Sequence, residues 1–463
     1  MRSHRNRLRL AGAVLAALAV TTSAACASSA SPGTAPAPGA SALAHASGPL
    51  TVTLWHGLGG AAGKALQQAV DTFNAGNPDH ITVRAVFQGS YEDTLAKYTS
   101  AIRDGSTPDV LLSSDVTTGF IHDAGQTISA QDLAAANPGD LDLDDIRPAA
   151  KNYYSADGKL LSVPFNTSMP MLYVNDALLA LAGVDKGSLS TMDGLVAAAR
   201  KIHSALPGVY GFLQPEAAGW WFEQMTAAAG EEYCTPDNGR TGSGATAVSL
   251  DGPAQHAALQ AVVDLYTGGV ALDTGSDGDA AVSAFASGSV AMMFNSSAVI
   301  GNLAAVGMSG YTALPLPLSG PADTAGPLIG GASLWVDGVG HDAAHQVASS
   351  KVVSYLASPQ VQEQFSHASG YAPINLQVDD SPTQRQFLAQ NPAWAAVMQE
   401  FDRTPASAAT AGCLTGALPG IRQAVVAAMD SAYAGTTTLD AAIAQAEAAT
   451  ASIVADYREQ AGR

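Results

Sequence analysis

The chain has 463 residues, 47% apolar and 13% charged, the make-up of a folded globular protein with core enough for two or three domains. The formal charge is −19, and residues 1–25 hold four arginines (Arg2, Arg5, Arg7, Arg9) and no acid, so the remainder carries −23. That balance excludes a nucleic-acid binder, which needs Lys and Arg to neutralise phosphates, and excludes adsorption to an anionic membrane by charge.

The N-terminus reads as a targeting segment. Arginines through Arg9 precede an apolar run, Leu10 to Val20, too short to span a bilayer. Ser23-Ala24-Ala25-Cys26 follows. Small residues ahead of a cysteine resemble a bacterial lipoprotein signal, with residues 1–25 removed and Cys26 lipidated; Ser23 departs from the Leu usual there. An ordinary secretory signal with a coincidental cysteine is the alternative. Residues 26–49, rich in Ser, Ala, Pro and Gly, read as a flexible tether. No later run is long and apolar enough to span a membrane.

The folded part opens at Leu50. Thr51-Val52-Thr53-Leu54-Trp55 alternates as a strand, and His56 to Gly63 is a glycine-rich loop. A helix with Leu66, Val70 and Phe73 on one face ends at Gly76-Asn77-Pro78. Ile81, Val83, Ala85 and Phe87 alternate as a second strand. Gly89-Ser90-Tyr91 turns into a helix carrying Leu95, Tyr98 and Ile102, stopped by Gly105. Residues 108–112 form a third, buried strand, with Ser113-Ser114-Asp115 at its carboxyl end. Strands alternating with helices predict a parallel α/β sheet. Ligands of such sheets sit beyond the carboxyl ends of the strands, where the glycine-rich loop would also present a helix N-terminus to an anion.

Past Asp157-Gly158, Met171-Leu172-Tyr173-Val174-Asn175 is a strand, and helices are expected around 195–202, 222–229 and 254–266. Residues 290–294 are a strand with Asn295-Ser296-Ser297 beyond it. The most marked stretch is Leu328-Ile329-Gly330-Gly331-Ala332-Ser333-Leu334-Trp335-Val336, a glycine pair feeding a buried strand. A helix with Val347, Val352, Tyr355 and Leu356 follows, Ser358-Pro359 restarts it, and Gly370 stops it. Tyr371-Ala372-Pro373-Ile374-Asn375 then leaves extended. Bare backbone at one end and a hydroxylated aromatic at the other suit a ligand cleft.

Several chemistries find no support. His341-Asp342-Ala343-Ala344-His345 has a metal-sharing i, i+4 spacing but no third ligand, so it reads as a solvated helix start. Asp140, Asp142 and Asp144 open like a calcium loop, yet Asp145 stands where glycine is required and Lys151 where the closing acid belongs. There is no nucleophile turn and no P-loop, so no metal, cofactor or catalytic residue is expected. Cys234 and Cys413 are candidates for a disulfide, with two isolated buried thiols as the alternative.

From about Thr51 to the last helix, the chain resembles the extracellular solute-binding proteins of ABC importers. Among them it is most similar to the glycerol-3-phosphate and glycerophosphodiester binders. The resemblance rests on Trp55-His56, Gly89-Ser90-Tyr91-Glu92, Pro164-Phe165-Asn166-Thr167-Ser168, Gly330 to Val336 and Gly370-Tyr371-Ala372-Pro373-Ile374. It implies a type II periplasmic-binding fold: two α/β lobes, each a mainly parallel sheet flanked by helices, with a ligand cleft between them. The expected lobes are residues 50–164 with 325–377, and 165–324 with 378–463.

Carried over residue by residue, the resemblance implies a ligand site of Tyr91, Asp115, Ser168, Ser296, Gly331, Tyr371 and Arg422. Arg422, in Pro419-Gly420-Ile421-Arg422, opens a helix and, read alone, is a solvated arginine. With the resemblance, its fork matches a phosphate, assisted by Tyr371, Ser296 and the Gly331 N–H. Asp115, where the family often has Glu, would hold glycerol hydroxyls at the other end with Tyr91 and Ser168. The enterobacterial type has two separated tryptophans where this chain reads Glu216-Ala217-Ala218-Gly219-Trp220-Trp221-Phe222. A face of Trp220 or Trp221, with Glu216, suits a quaternary ammonium, so glycerophosphocholine is expected to bind better than glycerol-3-phosphate. The implied protein is a monomeric lipoprotein on the outer face of the membrane, not an enzyme, delivering the ester to ABC permease subunits. An oligosaccharide binder is the alternative within the class. A secreted hydrolase of the same esters is the alternative outside it.

Overall fold

A computed structural model describes residues 36–46, 48–215, 220–242, 244–275, 277–321 and 324–462. The expected signal peptide, the lipidation site Cys26 and the head-group candidate Glu216 lie outside the described residues.

Two sheets are built from β1 (Thr51–His56), β2 (Thr82–Phe87), β3 (Val110–Ser114), β4 (Thr127–Ile128), β5 (Val163–Ser168), β6 (Pro170–Asn175), β7 (Met292–Ser296), β8 (Tyr311–Pro315) and β9 (Gly330–Asp337). The first runs β2-β1-β3-β9-β4, with β5 also paired to β9. Here β1 is parallel to β2 and β3, whereas β9 is antiparallel to β3, β4 and β5. The strands of the second sheet, β7-β6-β8, pair antiparallel, and Leu213 adds an isolated parallel bridge to Met293 of β7. The two-lobed α/β fold is as expected, but the first sheet is mixed in direction and the second antiparallel, rather than mainly parallel. In the first sheet the cause is β9, which joins it from far along the chain, after the strands of the second sheet.

The lobe boundary expected at 164/165 falls inside β5, which stays paired with β9 to Ser168↔Gly330. Met169, between β5 and β6, is buried, its N–H donating to Ser297 Oγ at 3.1 Å. Nor is the tether wholly free. Residues Ala40–His45 form a 3-10 helix, Leu43 lies against the core, and Asn137 donates to the Pro38 carbonyl at 3.0 Å.

The helices that position the cleft are α1 (Gly60–Gly76), α2 (Tyr91–Asp104), α3 (Trp220–Ala228), α4 (Val299–Ala305), α5 (Ala343–Leu356), α6 (Pro359–Ser369) and α7 (Leu418–Tyr433). Helix α1 buries Leu66, Val70 and Phe73, and Asn77 closes it. The Asn77 amide donates to Phe73 O at 3.0 Å and its Oδ1 accepts from Ile81 N at 2.8 Å, which folds the chain back into β2. Helix α2 starts with a reciprocal Ser90–Asp93 capping box, worth about 1 kcal/mol. Gly370 ends α6 at φ 96°, and a β-carbon there would meet the Ala298 carbonyl at 2.8 Å. Cys234 and Cys413 are joined, closing a separation of 179 residues. In the entropic model such a loop contributes about 5 kcal/mol. Beside the disulfide, Arg240 donates to Gly412 O at 3.0 Å and to Tyr153 O at 2.9 Å, so one side chain ties the segment ahead of α7 to the first lobe.

Candidate functional site

Strand β3 delivers its last residue, Ser114, and then Asp115 to the mouth of the first lobe. A tight 3-10 turn over Asp115–Thr117 holds them there. The turn is braced by Thr117 Oγ1 donating to Ser114 O (2.6 Å) and Thr118 Oγ1 to Asp115 O (2.7 Å). Asp115 is buried, and its Oδ2 accepts from Arg422 Nη2 at 3.1 Å. Arg422 projects from the start of α7, as the resemblance implies, and is buried rather than solvated.

A third member was missed in the sequence. Glu223, on α3, is fully buried, with Oε1 2.5 Å from Arg422 Nε and Oε2 3.1 Å from Nη2. Burial pushes its carboxyl up, and Arg422 works against that. Burial opposes charge on Arg422 as well, but Glu223 and Asp115 outweigh it and hold the guanidinium well above its ordinary value. Two carboxylates on one guanidinium leave the triad with a net charge of about −1. Arg422 and Asp115 are therefore not opposite ends of a ligand, as expected; they are partners. Glu223 had one signal in the sequence, a lone acid inside the apolar run Trp220-Trp221-Phe222-Glu223-Gln224-Met225. Such an acid needs a buried cation nearby.

The other expected residues fall into two neighbouring groups. Gly331 has φ 113°, and a β-carbon there would lie 1.8 Å from the Asn166 carbonyl, so only glycine fits. A β-carbon on Gly330 would lie 3.0 Å from both Ser168 Oγ and Trp220 Cζ2, which puts Ser168 and the half-buried Trp220 ring on the same spot. Trp220 Nε1 has no partner among the described residues. Trp221 is core instead: its ring stacks on Phe294 (5.4 Å, 22°) and Nε1 donates to Pro215 O at 2.7 Å. It has no free face for an ammonium, which corrects that expectation.

Ser296 and Tyr371 line a 430 Å³ cavity together with Gly59, Gly60 and Ala61 at the start of α1 and Asn302 of α4. The expected helix N-terminus in the cleft is thus found. Tyr371 stacks on Phe365 (6.2 Å, 25°). Asn166 joins the groups, donating from Nδ2 to Tyr91 Oη at 3.0 Å. Burial raises the Tyr91 and Tyr371 phenols, and the Asn166 side chain works against that rise at both. Tyr91 also faces a second, 280 Å³ cavity, between α2 and α7, whose lining includes Arg422 and Ser114.

Of the two histidines at metal-sharing spacing, His341 pairs with Asp109 (3.0 Å) and His345 with Asp342 (2.9 Å). Among the described residues no group of three His, Cys, Asp or Glu is placed to hold a metal ion, and no helix is long and apolar enough to cross a membrane.

Residues 68–396 match the family model of bacterial extracellular solute-binding proteins. The chain is 29% identical over 412 residues to the sn-glycerol-3-phosphate-binding periplasmic protein UgpB of Yersinia pseudotuberculosis, covering 86% of this chain and 91% of that protein. The cyclic alpha-maltosyl-1,6-maltose binding protein of Arthrobacter globiformis is similar in fold, with TM-score 0.72, 23% identity and coverage of 88% and 100%. UgpB of Mycobacterium tuberculosis, solved with glycerophosphocholine, gives 0.71 and 18% with coverage of 90% and 98%. At these identities the two solved structures speak for the fold alone.

Proposed function

Since the chain belongs to the bacterial extracellular solute-binding proteins, which hand small molecules to the permease subunits of ABC importers, we propose that it captures a glycerophosphodiester, glycerophosphocholine foremost. The observation that carries this reading is the buried Arg422 at the cleft, in a chain whose relatives are glycerol-3-phosphate binders. Arg422 spends Nε and Nη2 on Glu223 and Asp115, leaving Nη1 for a phosphoryl oxygen, while Asp115 keeps Oδ1 for a hydroxyl. A phosphomonoester approaches a dianion at neutral pH and meets a cation already offset by two carboxylates. A diester carries one negative charge, and its choline form is neutral overall. The triad therefore favours the diester. Tyr371, Ser296 and the Gly331 N–H remain proposed donors, with Tyr91, Ser168 and Trp220 along the glycerol.

Titration calorimetry tests this with glycerophosphocholine, glycerol-3-phosphate and maltotriose. Glycerophosphocholine should bind in the micromolar range, about −8 kcal/mol, at least about ten-fold tighter than glycerol-3-phosphate. Tighter binding of the monoester would overturn the charge argument. The second reading, an oligosaccharide binder, draws on Trp220 and on the neutralised arginine, and binding of maltotriose alone would establish it. We take the protein to act without turnover, so incubation with glycerophosphocholine should release no choline. We also propose that it is a monomer and is anchored through Cys26; Cys26→Ala should lose incorporation of labelled fatty acid and leave the membrane fraction.

A further inference from the structure

We propose that the 280 Å³ crevice between α2 and α7 is the subsite for a methyl-covered cationic head group, the trimethylammonium of a choline ester, a proposal that rests on the reading of the ligand as a glycerophosphodiester. Its walls are apolar: Leu95 from α2, Val116 from the turn after β3, and Val426 with Ala427 from α7. Two further polar residues share the lining: Thr117, whose hydroxyl is spent on the Ser114 carbonyl, and Gln423, which is exposed.

At the inner end stand Arg422 and Ser114. Ser114 is buried, and its hydroxyl has no partner among the described residues. A buried hydroxyl left unpaired costs free energy, so this one awaits an oxygen or a water. Arg422 and Ser114 together suit a phosphoryl oxygen. At the outer end stand Glu92 and Asp430, both exposed, one from each lobe, and the pocket holds no cation besides Arg422. By burial the lining grades from the donors Arg422 and Ser114, through the half-buried Leu95, Val116 and Val426, to the exposed carboxylates. A choline phosphodiester has the same order: anionic oxygen, methylenes, then a cation sheathed in methyl groups.

The chemistry of that cation matters. A quaternary ammonium has no N–H to satisfy and spreads its charge over its methyl groups. Apolar walls that would penalise a lysine-like ammonium accept it, and carboxylates at a distance supply the counter-charge. The Tyr91 ring, also in the lining, adds a π face. This location differs from the one expected around Trp220, Trp221 and Glu216, of which the Trp221 ring is already covered by Phe294.

Calorimetry with two ligands and two variants tests it. Ala427→Phe fills the crevice from an exposed position on α7. It should weaken glycerophosphocholine by about ten-fold or more and glycerol-3-phosphate by less than about two-fold. The rim pair Glu92→Gln with Asp430→Asn disturbs no core. It should weaken only the choline ester, by about three- to ten-fold at low salt, with the loss shrinking as salt screens the wild-type protein. Equal losses for both esters, or no loss for either in both variants, would overturn the subsite. Wild-type protein that binds neither ester would overturn the parent reading and this one with it, a result separable from the first two.

Discussion

The two ends of β3 gather similar sets of ionisable side chains in different settings. At its carboxyl end, Asp115 shares Arg422 with Glu223. At its amino end, Asp109 pairs with His341 at 3.0 Å, beside Asp337 at the end of β9, whose Oδ1 accepts from Tyr98 Oη at 2.6 Å. Each cluster has two carboxylates and one basic group, and each is largely buried. The first joins two lobes through a cation that stays charged at any working pH. The second lies within one lobe and has a cation that titrates. The lesson is that charge count does not assign a role. A fixed charge across a cleft can be read by a ligand whatever the pH, whereas a titrating one inside a lobe reports on proton concentration.

The largest expected effect is at the fixed-charge end. Arg422→Met leaves Glu223 and Asp115 without their cation and should cost about 3–5 kcal/mol in urea unfolding. Pairing it with Glu223→Met should recover most of that loss without restoring ligand binding. Equal stability of the single variant and wild type would show that water reaches Glu223 and that the triad is not a buried unit.

The next effect sharpens the contrast through pH. Burial pushes the Asp337 carboxyl from 3.8 up to about 7, so its proton is held more tightly in the folded state. Its contribution to stability is complete below the unfolded value and is lost as pH rises through 7. His341, raised by its hydrogen bond to Asp109, acts in the same direction. Burial alone would raise Asp109, but His341 and the Thr53 N–H bring it below its ordinary value, so its contribution is lost only in acid. Stability should therefore fall by on the order of 3 kcal/mol between about pH 4 and pH 8. Asp337→Asn should flatten that slope. An unchanged slope in the variant would move the titration elsewhere.

The smallest effect is Tyr98→Phe, which removes the donor to Asp337 and should cost about 1–3 kcal/mol. The cost should be greatest at high pH, where the carboxylate most needs the hydrogen bond, and ligand affinity should not change. A change in affinity would mean that the two ends of β3 are coupled.

Much of the framework was legible because its punctuation is local. Gly105 and Gly370 end helices in the left-handed conformation, Asn77 caps α1, and the pair Gly330-Gly331 opens the strand at the centre of the first sheet. What was not legible depends on relations between distant segments. Pattern marks β9 as a buried strand but carries no direction. Adjacent helix positions point about 100° apart, so one of Trp220 and Trp221 had to face the core, and only the orientation of α3 decides which. Glu223 stood out as an acid in an apolar run, but its partner lies 199 residues away.

The position of β9 has a consequence for how the protein is made. It sits between β3 on one side and β4 and β5 on the other, so the first lobe lacks its middle strand until residue 337 has left the ribosome or the translocon. Until then β3 and β5 present open edges with nothing to pair them. Closing a sheet across more than two hundred residues is slow, because the loop entropy is lost before the contacts form. A chain of this connectivity stays threadable for most of its synthesis, which is the state an export channel requires. It becomes committed to its shape only late, once the insertion of a single strand completes the sheet.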